Sequence, residues 1–171
     1  PMVVVAPAAA PQPPPIEKVL PLVGDADAKD SFGYPTAFVD RVALQQMLRE
    51  RRYAALTAAL EAAQARFEDD WHYEFWPHDS VEAFTADPTL EPLFNEWVAS
   101  APTSFAPLAA RGHWLCDLGL EARGSKFAID TPDENFDKMH TLHERGVVDL
   151  QRALQMRPRA ISVARVLVVL G

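Results

Sequence analysis

Two histidines three residues apart, His140 and His143, share one face of any helix that carries them, and His113 lies in an apolar-periodic stretch able to pack opposite. Imidazoles gathered in this way are the raw material of a metal centre. Zinc needs three or four ligands about 2 Å from the ion, and its helical signature, H-E-x-x-H, spaces the histidines by four with an acid between them. Here the spacing is three, and Thr141-Leu142 intervene. His113, His140 and His143 therefore make an incomplete ligand set, better read as surface or core-edge histidines, and no metal or other cofactor is expected.

The stretch Trp71-His72-Tyr73-Glu74-Phe75-Trp76-Pro77-His78-Asp79 is the densest in chemistry-bearing side chains. His72 with Glu74, or His78 with Asp79, has the composition of a general base and its orienting carboxylate, because imidazole titrates near neutrality and an acid raises its basicity. Adjacent residues seldom aim at one point, however, and neither a nucleophile nor a glycine-rich turn accompanies them. The chain carries no P-loop, no G-x-G-x-x-G, no G-x-S-x-G and no paired cysteines. No catalytic residue is assigned. Two other readings of the stretch remain: aromatics that pin an irregular segment to the core, or a recognition surface made of Asp69, Asp70, Trp71, Tyr73, Trp76 and Asp79.

Charge patterning bears on the partner of such a surface. The net charge is −8, and residues 61–100 hold ten acids against the single base Arg66. Nucleic acid is a poor match for that segment, because counterion release needs cations facing the phosphates. A protein with a basic surface fits better. The single cysteine, Cys116, sits at the apolar side of a predicted helix and reads as a buried structural thiol. No apolar run reaches the roughly 18 residues of a membrane span, so no transmembrane segment is expected.

The elements that must position these groups are helices. Over 103–124, Phe105, Leu108, Gly112, Leu115, Leu118 and Ala122 recur at steps of three and four; over 133–158, Phe136, Met139, Gly146, Leu150, Ala153 and Leu154 do the same. The two stretches predict an antiparallel helix pair, and Gly112 and Gly146 let its backbones meet at close quarters. A first pair is predicted from Phe38 to Phe67, broken near Arg51-Arg52, and a further helix runs over 90–98. Between them, Pro77 limits any helix starting at Asp70, and Asp79 or Ser80 is placed to cap a short one over 81–85. Residues 161–170 are apolar except Ser162 and Arg165, which predicts a helix needing cover on most sides, with a strand as the alternative and self-association as one way to supply the cover.

Residues 1–33 read as a Pro/Ala-rich tail and loop, and 34–171 as the helical domain. The tail has the composition of spacers that follow a cleaved signal or lipid anchor in exported bacterial proteins, which leans toward an exported, periplasmic location over a cytoplasmic one.

Leu108-x2-Arg111-Gly112-x2-Leu115, followed by Gly146-x3-Leu150, Ala153 and Pro158, resembles a degenerate tetratricopeptide-like (TPR-like) repeat. Arg111 stands where that pattern has an apolar residue, and the segment 125–132 lengthens the unit beyond about 34 residues. The wider stretch 34–170 also resembles a bacterial domain-of-unknown-function family that carries such repeats. The resemblance implies an all-α fold of antiparallel helix pairs stacked as a short right-handed TPR-like α-solenoid. It also implies a groove on the first helix of the pair, lined by Ala106, Ala109, His113, Cys116 and Asp117, unless the tail or the 125–132 insertion fills it. The expected function is a protein-protein interaction scaffold with an acidic, aromatic-rich face. Alternatives are an inhibitory, immunity-type protein blocking a basic site, and a metal- or histidine-dependent enzyme.

Overall fold

A computed structural model describes residues 14–170; the expected tail over 1–13 lies outside them. Seven α-helices, four short 3-10 helices and one two-stranded antiparallel sheet make up the regular structure of the described residues. The fold is all-α, as the periodicity predicts.

Within the predicted tail and loop, residues 16–22 pack against the helical domain. Leu20 is fully buried, and Ile16 and Leu22 pack against the same core. Strand β1 (Leu22–Val23) pairs antiparallel with β2 (Phe38–Val39), with Leu22 opposite Val39. Phe38 thus starts a strand where a helix is predicted. Helix α1 (Arg41–Arg49) begins only after Asp40, whose carboxylate accepts from Ala43 N at 3.0 Å and satisfies an orphan donor of the first turn. Arg51 adopts a left-handed φ of 56°, which ends α1 and turns the chain into α2 (Tyr53–Asp69).

The acidic-aromatic stretch is more regular than predicted. A 3-10 turn over Trp71–Tyr73 leads into α3 (Phe75–Val81), which ends where the predicted short helix starts. Pro77 sits in the first turn of α3, where a missing N–H breaks no intrahelical bond, so it begins a helix instead of limiting one. Helix α4 (Glu91–Ser100) follows a 3-10 turn capped by Asp87. The aromatic core then runs from Phe84 through Phe94 to Trp114, with ring centroids 5.3 and 4.8 Å apart, and joins α4 to α5 (Ala106–Arg123).

Helices α5 and α6 (Asp133–Met156) form the central antiparallel pair. A Cβ built on Gly112 lies 2.7 Å from Leu150 Cγ and 3.0 Å from Gly146 O; one on Gly146 lies 2.8 Å from both Cys116 Sγ and Gly112 O. The backbones are therefore as close as the two glycines allow. One turn pair further on, Gly119 admits the ring of His143, whose Nε2 lies 3.1 Å from Cys116 O. Arg111, the departure from the repeat pattern, forms a bidentate bridge to the nearly buried Asp149, Nε to Oδ2 at 2.6 Å and Nη2 to Oδ1 at 2.8 Å.

Helix α7 (Ile161–Leu170) closes the described structure. Ser162 and Val163 are buried in the chain's own core, while Val168 and Val169 remain exposed. The stretch is a helix, not the alternative strand. No described helix is long and apolar enough to cross a membrane.

Candidate functional site

The extended segment that ends in β2 is held on α3 by one buried hydrogen bond, from Trp76 Nε1 to Ala37 O at 3.0 Å. Beside that bond a groove of about 540 Å³ opens, within the size range of pockets that take small ligands or single side chains. Phe38 and Phe75 line it and are 57% and 53% exposed, an unusual state for two phenyl rings on adjoining elements. Tyr34 adds a third ring, fixed edge-on to Trp71 at 5.6 Å.

Three carboxylates face the same groove. Asp30 is committed to its own turn, accepting from Phe32 N and Tyr34 N at 2.9 Å each. Asp79 has Arg41 Nη2 at 3.8 Å, and burial pushes its carboxyl above the ordinary range despite that cation. The Glu74 carboxylate makes no hydrogen bond or ion pair among the described residues, while its backbone N–H donates to Trp71 O. Exposed aromatic faces beside under-compensated carboxylates are the chemistry that holds a cation: the rings supply quadrupoles and the acids supply charge.

The acidic face expected over 61–100 is largely neutralised within the chain. Lys29 pairs with Asp70, Arg41 with Glu82 and Asp79, Arg49 with Asp87, and Arg51 with Glu96. From the other end of the chain, Arg145 meets Glu91, and Arg157 meets Glu61 and Glu68. Eight of the ten acids are thus ties between distant parts of the fold. Glu74 and the exposed Asp69 are the two without such a tie among the described residues.

The remaining predicted residues divide. Trp71 is exposed and stacks on His72 at 4.0 Å, whose Nδ1 lies 2.6 Å from Asp70 Oδ1. Bonds from His72, then Lys29, hold the Asp70 carboxyl well below its usual range, so this acid serves the turn and not a partner. Tyr73 and Trp76 belong to the core: Tyr73 is covered by the Arg66 guanidinium at 4.4 Å, and Trp76 by the extended segment. Both were expected on the recognition face. The two lie on the inner side of a helical turn, where the sequence predicts an irregular segment.

Ala106 and Ala109 are fully buried and Cys116 nearly so, and they line no open groove. Helices α2, α3, α4, α6 and α7 all pack on α5, so the face expected to be concave is covered. His113 and Asp117 sit at its edge, with His113 Nε2 at 3.4 Å from Glu82 Oε1 and Nδ1 at 3.3 Å from Asp117 Oδ2. His140 is exposed, and His143 turns inward onto Gly119. The three histidines do not converge, and among the described residues no group of three His, Cys, Asp or Glu side chains is placed to hold a metal ion.

Reasoning from the sequence missed Phe38 and Phe75 because nothing local marks an aromatic that fails to find the core. Glu74 differs from its neighbours only by lacking an internal partner, a property of the folded chain. No family model matches this chain, nor does any curated protein or any solved structure.

Proposed function

We propose that this chain is a protein-binding scaffold of TPR-like helical type that takes a basic side chain of its partner in the groove between β2 and α3. The observation that carries this is the conjunction of exposed Phe38 and Phe75 with Glu74, an acid without an ion pair among the described residues, around one cavity. A lysine or arginine there gains ring contact along its stem and a carboxylate at its head. It also compensates Asp79, whose burial Arg41 offsets only in part. The short antiparallel helices behind the groove form a rigid platform, as in other helical scaffolds.

Fluorescence anisotropy with a labelled peptide of alternating Arg and Gly tests this. Phe75→Ala and Glu74→Lys are each expected to weaken binding about tenfold, the usual cost of losing a central anchor. Asp69→Lys, which changes charge equally away from the groove, is expected to leave it within about twofold, as exposed rim charges do. Equal weakening by all three charge and ring variants, or none, refutes the groove as the binding site.

A further inference from the structure

We infer that the buried N-terminus of α7, together with Ser162, His78 and Arg165, is a binding site for a small oxyanion of the size of a carboxylate or phosphate group. A helix start leaves backbone N–H groups without intrahelical acceptors, and a buried start needs a cap, a water or a ligand. In α7 the first helical amide with an acceptor is that of Ala164, which donates to Ala160 O at 3.1 Å. The N–H groups of Ile161, Ser162 and Val163 have no acceptor among the described residues. Ala160, which precedes the helix, has no side-chain oxygen to offer, and Ala160, Ser162 and Val163 are all buried.

The side chains around this end are donors as well. Ser162 is 2% exposed, and its Oγ is buried without a partner among the described residues. His78 Nδ1 is likewise buried and unpartnered. Both residues line one cleft of about 70 Å³ with Glu74, Phe75, Ile161 and Arg165. Arg165 Nη1 lies 3.3 Å from His78 Nε2; with Nε2 as the acceptor of that bond, the ring proton sits on Nδ1 and makes that atom a donor. Burial lowers the pKa of His78 despite Glu82 Oε1 at 3.0 Å from Nε2, so the ring is neutral and Nδ1 donates in the tautomer that accepts from Arg165. A hydroxyl, an imidazole N–H, a guanidinium and free helix amides around one cavity lack a common acceptor, and an oxyanion supplies it. Glu74 is the opposing charge on the wall. It faces the neighbouring groove as well, and the cleft does not depend on the function proposed for that groove.

The test is a backbone amide NMR titration of the full chain with sodium phosphate and, separately, sodium acetate at constant ionic strength. Saturable shifts of the Ser162 and Val163 amides are expected, and the tighter of the two anions identifies a phosphate or a carboxylate as the preferred group. Arg165→Ala is expected to weaken the tighter anion about tenfold, as loss of a charged donor does. Ser162→Ala is expected to weaken it less, and its thermal transition shows whether it folds; Arg165 is exposed, so its variant keeps the test decisive if Ser162→Ala does not. Linear, non-saturating shifts with both anions, or saturable binding unchanged in Arg165→Ala, would overturn the site and leave the cleft to water.

Discussion

Gly146→Ala is the sharpest probe of how the central helix pair is built. In an open helix, alanine for glycine adds about 1 kcal/mol of stability, because glycine loses more backbone freedom on folding. Here the new Cβ would stand 2.8 Å from Cys116 Sγ and 2.8 Å from Gly112 O. The sulfur can rotate, but the carbonyl belongs to the facing backbone, so α5 and α6 must separate to admit the methyl. Overpacking of this kind costs about 1–3 kcal/mol, toward the upper end where backbone is the obstacle. The net expectation is a loss of about 1–2 kcal/mol, the propensity gain offsetting part of the strain. At this chain length that corresponds to a fall in Tm of about 2–8 °C. Urea unfolding followed by far-UV circular dichroism measures it, with the slope m checked for constancy. Gly146→Ala as stable as the parent, or more stable by about 1 kcal/mol, would show that the helices do not meet there.

Other outcomes follow from the same structure. Asp149→Ala leaves the part-exposed Arg111 guanidinium with Asn95 Oδ1 as its partner among the described residues and is expected to cost about 1–3 kcal/mol in urea unfolding, while Arg111→Met with Asp149→Leu recovers most of it. Arg157, aided by Gln64, holds the Glu68 carboxyl below its ordinary value of 4.5, so the stabilisation is present above that pH and is lost as pH falls through the lower folded value. The urea midpoint should therefore drop on acidification below about pH 5, and Arg157→Met should flatten the drop. Burial, with Asp117 adding to it, pushes the Cys116 thiol up to about 12, so a disulfide reagent at pH 8 should label it only after unfolding. Rapid labelling of the folded chain would contradict that placement.

Much of the fold was legible in the sequence because helix formation reads local periodicity. The predicted stretches 103–124 and 133–158 became Ala106–Arg123 and Asp133–Met156, and Gly112 and Gly146 face each other as their spacing required. Gly119 carries the same signal, seven residues after Gly112 on one helical face. The site was less legible. Trp71 stayed exposed and Asp79 reached the groove, but Tyr73, Trp76, Ala106 and Ala109 turned inward. Aromatic content predicts burial or recognition equally well, and only the position of a neighbouring element decides between them.

The amino-acid sequence by itself determined where the central helix pair lies, which of its faces are apolar, and where its two backbones can touch, since these depend on residues within a few turns of one another. The tertiary structure alone decided the fate of the charges. Arg157 finds Glu61 and Glu68, and Lys29 finds Asp70, across tens of residues, which turns an acidic segment into internal ties. It likewise decided that the Glu74 carboxylate and the first amides of α7 are left without partners among the described residues. A Coulomb or hydrogen-bonding partner is chosen by distance in space, and no pattern along the chain encodes that distance.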